Sequence, residues 1–159
     1  MSIDCHLKLK GVDGESEHKD HKGEIDVLTW NWNVSNASSA GSGGGSGVGK
    51  AVPGDFLFSH IYDKAAPVIA KNCASGKHFE EAVVTIRKAG EEQLDFLKVT
   101  MKQVFITSVN VGGSGGGEIG ETVHLSYGDI EFAYKAQDDK GKLGGEVKFG
   151  WSPSKTEIR

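Results

Sequence analysis

The feature that most constrains this chain is a run of three long β-strands between Ala82 and Tyr134. In the middle one, residues 94–111, Leu97, Val99 and Met101 alternate with Lys98, Thr100 and Lys102. That period of two marks a half-buried strand. The alternation fails at both ends. Leu94 and Phe96 lie out of phase with Leu97, and Val104-Phe105-Ile106 is apolar on both faces. A strand of that kind must be covered on both sides, and another subunit is one candidate for the second cover. The preceding strand sets Ala82, Val84 and Ile86 against Val83, Thr85 and Arg87, and ends in a turn at Lys88-Ala89-Gly90-Glu91-Glu92. The third strand carries Val123, Leu125 and Tyr127 on one parity and Ile130, Phe132 and Tyr134 on the other. The slip falls at Gly128-Asp129. It reads as a β-bulge that keeps one buried stripe continuous, with a tight turn as the alternative.

Around this meander the pattern stays mostly β. Ile3, Cys5, Leu7 and Leu9 alternate with Asp4, His6, Lys8 and Lys10, predicting a half-buried strand. Residues 11–23 read as a polar loop and 24–34 as a second strand. That strand has Leu28, Trp30, Trp32 and Val34 on one face and Thr29, Asn31 and Asn33 on the other. Two tryptophans at spacing two are a large apolar payload, read as core, with an exposed platform for sugar or bases as the alternative. Residues 35–50 are a Ser/Gly tract expected to be a flexible loop. A strand follows at 55–62, with Phe56 and Phe58 on one parity. Then Asp63 offers an N-cap, Pro67 sits in the first turn, and Gly76 closes a helix over 64–75. Ala65, Val68, Ile69, Asn72 and Cys73 form its packing face. A linker at 137–145 leads to a last strand at 146–151, ended by Pro153. Seven or eight strands with one helix predict a mainly β fold, a small barrel or two-sheet sandwich with the helix against one opening.

Length and charge narrow the function classes. A chain of 159 residues fits a single domain, 1–159, with a core that needs no staples. The net charge is −4 with both signs interspersed, so no basic stripe invites nucleic acid. No apolar run approaches the roughly 20 residues of a membrane span. Met1-Ser2-Ile3-Asp4 has neither the basic start nor the apolar core of a secretory signal, so general secretory export is not expected. Cys5 and Cys73 are read as small buried residues in a reducing cytoplasm, not as a disulfide framework.

The candidate chemistry is thin. Residues 44–50 reproduce most of a phosphate-binding loop, but Ala51 stands where magnesium needs Ser or Thr, and Val52-Pro53-Gly54 prevents the helix that should follow. Glu15, His18 and His21 lie in a lysine-rich loop with no helix to align the imidazoles, so they read as solvated and not as a zinc site. His6, His60, His78 and His124 stand singly and read as structural. No nucleophile elbow is flanked by strands, and neither cysteine has a histidine at a motif spacing. The acidic pairs Glu80-Glu81, Glu91-Glu92 and Asp138-Asp139 fall at turns and strand ends, where they read as solvated. The expectation is a non-enzyme with no catalytic, cofactor or metal site.

Read together, the segments resemble a known family. Gly14-Glu15-Ser16, then Glu24-Ile25-Asp26-Val27-Leu28-Thr29-Trp30-Asn31-Trp32, are similar to the N-terminal half of the hemolysin-coregulated protein (Hcp) family, the inner-tube proteins of the bacterial type VI secretion system. Asp63-Lys64-Ala65-Ala66-Pro67 and Ser75-Gly76-Lys77-His78-Phe79 continue the likeness, followed by Ile86-Arg87-Lys88-Ala89-Gly90, Gly112-Gly113-Ser114-Gly115-Gly116, Glu121-Thr122-Val123 and Gly144 through Trp151. Ser152-Pro153 after Gly-Trp departs from the family's usual tail. The resemblance implies a phage tail-tube-like β-barrel of two sheets with one short helix. It implies homohexameric rings that stack into a tube, a contractile sheath around it, a spike protein at its tip and effector proteins inside. It also implies assembly in the cytoplasm and release without a signal peptide, and no cofactor, nucleic-acid or membrane partner. Within it, the polar face of Thr29, Asn31 and Asn33 is the expected lumen wall that contacts effectors. The alternative is a monomeric carbohydrate- or ligand-binding β-barrel using Trp30 and Trp32.

Overall fold

The computed structural model describes residues 2–38, 48–88, 94–140 and 142–159. Twelve strands and one α-helix are built in them: β1 Ile3–Leu9, β2 Ile25–Asp26, β3 Thr29–Asn31, β4 Val34–Ser38, β5 Val48–Pro53, β6 Phe56–Ile61, α1 Ala65–Ser75, β7 Phe79–Lys88, β8 Asp95–Gly112, β9 Gly120–Ser126, β10 Asp129–Gln137, β11 Leu143–Ser152 and β12 Glu157–Ile158. The first sheet runs β12-β11-β10-β8-β7-β1-β2, and β8 also pairs β9, which leads through β6 to β3 to form the second sheet. β4 and β5 make a separate hairpin. The expected two-sheet, one-helix architecture is present, but the hydrogen-bonded path ends on β12 and β2, so the barrel is open.

The length of β8 explains why it belongs to both sheets. Its N-terminal part pairs β7 and β10, and its C-terminal part pairs β9. Burial changes parity along it, from Val99 and Met101 to Val104 and Ile106. β9 and β10 change parity at the same level, from Val123 and Leu125 to Ile130. Phe105 opposes Ser126 and Lys102 opposes Asp129, so the pairing register is the same on both sides of the change. The expected bulge in one strand is therefore corrected: both strands slip together. Gln103 takes a left-handed φ of 52° on one side, while the Gly128 amide reaches the carbonyls of Lys102 and Gln103 on the other. A Cβ on Gly128 would run into the Gln103 side chain, which is why glycine stands there. The buried stripe stays continuous, as the sequence required.

The second expected strand, 24–34, is three strands with three partners. β2 pairs β1, β3 pairs β6 and β4 pairs β5. Between them the Val27 amide donates to the Cys5 carbonyl and the Leu28 amide to the Ser59 carbonyl, so this stretch crosses from one sheet to the other. Trp30 and Trp32 consequently do not share a buried face. Trp32 is half-buried against Phe132 and Phe149 and gives its indole N–H to the Tyr127 hydroxyl at 2.7 Å. Trp30 is 36% exposed, with one ring face laid on Phe56. The tract expected to be loop at 35–50 is strand at its described ends, and Val48–Lys50 of the phosphate-loop look-alike lie in β5, not before a helix. Residues 39–47, and the turn expected at 89–92, lie outside the described residues.

The core fills the space between the sheets. Phe56 and Phe58 of β6 are 0% and 1% exposed and face Leu7, Val84, Val99 and Val123 in one cluster. Each such phenyl contributes roughly 1.5–3 kcal/mol by leaving water. Helix α1 closes one opening with Ala65, Ala66 and Ile69. Lys64 holds the cap position without a side-chain bond, and Asp63 does the capping, its Oδ1 accepting from the Ala65 amide at 3.0 Å. Gly76 takes φ 69° and ends the helix as expected. Val68, expected to pack, is 39% exposed.

Candidate functional site

The polar parity expected of the lumen wall begins on β3. Thr29 and Asn31 are exposed and sit two residues apart on one face of a strand paired to β6. Register extends that face across the sheet. Thr29 opposes Ser59, which opposes Thr122, which opposes Asn110. The next row is Asn31, Leu57, His124 and Ser108. Directly opposed side chains lie on the same side of a sheet. The outward face of the second sheet is thus mostly hydroxyl and amide, joined by Leu57 and His124, with no Lys, Arg, Asp or Glu in either row. Thr29 Oγ1 and Ser59 Oγ hydrogen-bond across it. Asn33 is exposed but lies past the end of β3, where its carbonyl accepts from the Gly54 amide at 2.9 Å, so it borders the face without joining the rows. Sequence reasoning missed Ser59, Thr122, Asn110 and Ser108. Their signal was the polar parity within each strand, which becomes a surface only once strand partners are known.

Under this face lies a buried histidine–glutamate pair. His60 Nε2 is 2.8 Å from Glu121 Oε1, and neither side chain is exposed. Glu121 Oε2 and His60 Nδ1 have no hydrogen-bond partner, though Nδ1 is 3.7 Å from Asp63 Oδ1. His6, one of the four histidines expected to stand singly, does not. Its ring stacks on His21 at 4.7 Å between centroids, with His18 at 5.2 Å. The solvated reading of the 11–23 loop is likewise corrected. His21 is buried, with Glu24 Oε2 2.8 Å from its Nδ1, and Ser16 is buried with it. Gly14 lies so close to the Glu24 backbone that a Cβ would stand 2.6 Å from its carbonyl carbon, and Glu15 accepts from the Lys64 amide at 2.8 Å. The Gly14-Glu15-Ser16 motif therefore fastens this segment to β2 and to the start of α1. Among the described residues no three His, Cys, Asp or Glu side chains are arranged to hold a metal. Cys5 and Cys73 are free and half-buried, and burial pushes the Cys5 thiol up to about 12, which leaves it inert.

Several apolar side chains remain in water. Phe105, from the stretch apolar on both faces, is 43% exposed, with His78 beside its ring. Ile61, Tyr62, Val111 and Ile119 are 38–49% exposed toward one end of the second sheet. Two sheets sharing one long strand, a neutral polar face and apolar side chains left wet outline a tube-type assembly subunit. The profile of the family described as "Type VI secretion system effector, Hcp" matches residues 6–134. Protein hcp1 of Pseudomonas aeruginosa is 48% identical over 155 residues, 96% of each chain. The structure resembles Hcp1 of Salmonella typhimurium with a TM-score of 0.84 at 36% identity, covering 100% of both chains. It resembles another solved type six secretion system protein with a TM-score of 0.94 at 28% identity, covering 99% of this chain and 100% of that one. The chain belongs to the Hcp family and is a tube protein of the type VI secretion system.

Proposed function

We propose that residues 1–159 act as one barrel domain, that six copies close into a ring, and that rings stack into a conduit driven by a contractile sheath and tipped by a spike protein. Effector proteins ride inside, and the device carries its own tube out of the cytoplasm. The protein performs no catalysis in this role. The observation that carries the reading is the pair of charge-free rows on the second sheet. A wall made mostly of hydroxyls and amides stays wet and hydrogen-bonds cargo, yet sets up no field of one sign that would hold or exclude a charged protein. Cyclic closure needs two different contact surfaces per subunit, and Phe105 with the apolar end of the second sheet supplies side chains that such contacts would cover. The monomeric sugar-binding reading loses support, because Trp30 already has one face on Phe56 and Trp32 is packed inward.

Negative-stain imaging of the purified protein tests the ring. Single compact particles at high concentration would end the proposal. Asn31→Arg tests the wall: effector retention is expected to fall at least roughly tenfold with rings intact, since one added cation per subunit sets up the field of one sign that the uncharged rows avoid. If the rings dissolve instead, Asn31 lies in a subunit interface and the wall is elsewhere.

A further inference from the structure

Three imidazoles that the conduit does not use lie together over the outward face of β7. His6 of β1 and His21 stack with their planes 9° apart, and His18 lies 5.2 and 5.6 Å from them. His6 and His21 are 4% and 7% exposed. Every element packed here contributes charge. Asp4 and Lys8 flank His6 on β1, and Asp26 of β2 lies 3.2 Å from His6 Nε2. Asp20 and Glu24, with the exposed Lys19 and Lys22, belong to the segment between β1 and β2. Arg87 stands on β7, and Asp95 and Lys98 on β8.

Most of the carboxylates are already engaged. Arg87 takes Asp95 at 2.8 Å and Asp20 at 3.1 Å. Asp95 also stands 3.6 Å from His21 Nε2. Asp26 is 69% exposed, so water screens it from His6. Glu24, 14% exposed, is the buried carboxylate left for the stack. It can neutralise one imidazolium. A second charge would sit 4.7 Å from the first with no buried partner, and His6 Nδ1 has no acceptor for the added proton.

We propose that this stack is an acid-released latch, which holds residues 12–24 against β7 near neutral pH and frees them when a second ring gains a proton. The segment is internally tied, by Gly14 N–H to the Gly23 carbonyl and Ser16 N–H to the Glu24 carbonyl, so it leaves as a unit. Its departure bares Thr85 and Arg87, and takes the Glu15 carboxylate from the first turn of α1. Burial, and then His21 beside it, hold His6 below the ordinary histidine value against the pull of Asp26. The sign follows from that direction. The open segment binds more protons than the closed one, so the latch is at full strength above about pH 6.5 and weakens as pH falls through the lower value of the closed state. All the groups lie in one protomer, so the latch stands whether or not the ring does.

Hydrogen exchange read by mass spectrometry on the full chain, corrected for intrinsic rates, tests it at about pH 7.5 and about pH 5. Amides of 12–24 should exchange roughly tenfold faster at the lower pH, while those of β9 hold their rate. His6→Phe keeps a flat ring in the stack and should abolish the acceleration. Should that variant not fold, His18→Gln removes a half-exposed ring and should blunt it. The proposal is overturned if 12–24 does not accelerate selectively in the natural chain, or if the variant that folds accelerates equally.

Discussion

The β8-β10-β11 side of the first sheet and the second sheet dispose of charge in opposite ways. The outward face of the first carries a row of Glu81, Lys102 and Asp129, and beside it Lys148 lies 3.1 Å from Glu146 and 3.9 Å from Glu131. Arg159, after β12, clasps both oxygens of Asp129 at 2.7 Å. The second sheet has two charge-free rows outside and a hydrogen-bonded pair, His60–Glu121, sealed inside. Exposed pairs are held by flexible side chains in water and contribute little. A sealed pair cannot be broken cheaply, because the survivor is left without water or partner. The comparison implies that the charges on the β8-β10-β11 side of the first sheet are surface dressing, whereas the sealed pair of the second is structural and its outer face depends on which uncharged residues fill it.

The largest expected effect breaks the second half of that comparison. Glu121→Ala should cost about 3 kcal/mol, because it leaves the sealed His60 Nε2 with neither water nor partner. Urea unfolding reads this as a lower midpoint at unchanged slope. Glu121→Gln keeps an acceptor for His60 and should lose clearly less. If Glu121→Ala unfolds at the natural midpoint, the inner pair is as dispensable as the outer ones and the contrast fails.

Between the two faces lies the junction, and it divides what sequence could and could not reveal. Strands with one partner on each side were legible: β1, β6, β7 and the middle of β8 show the period of two because one face is buried throughout. The 24–34 stretch also alternates, but alternation records which side is buried and not which strand is opposite, so its change of partner was invisible. β5 was hidden by Ser/Gly composition, and β12 is too short to have a period. Of the candidate wall, Thr29 and Asn31 were readable, while Ser59, Thr122 and Asn110 joined it only through register. The His6–His18–His21 stack had no signal, since His6 and the other two come from separate elements that only the fold brings together.

A smaller effect sharpens the comparison at the junction itself. Gly128→Ala adds a Cβ against the Gln103 side chain, whose own Cβ would be 3.2 Å away. Gln103 already holds a left-handed φ that a side chain resists, so it has little freedom to retreat. The expected loss is about 1 kcal/mol, the low end for forcing a methyl into a packed site. Thermal unfolding should show it as a modest drop in Tm. An unchanged Tm would mean that the two strands bend without needing this close approach.

The smallest expected effect tests the first sheet. Lys148 bonds Glu146 and approaches Glu131, which together raise its ammonium above the ordinary lysine value. That shift looks like stabilisation, yet 58% of the side chain is in water. There the Coulomb attraction is screened, and fixing a long, flexible side chain offsets what remains. Lys148→Ala should therefore leave the urea midpoint where it is, at low salt and at high salt alike. A clear loss at low salt that vanishes at high salt would show the outer carboxylates coupled into a network, in which case the first sheet's charges, and not only the second's, hold the fold.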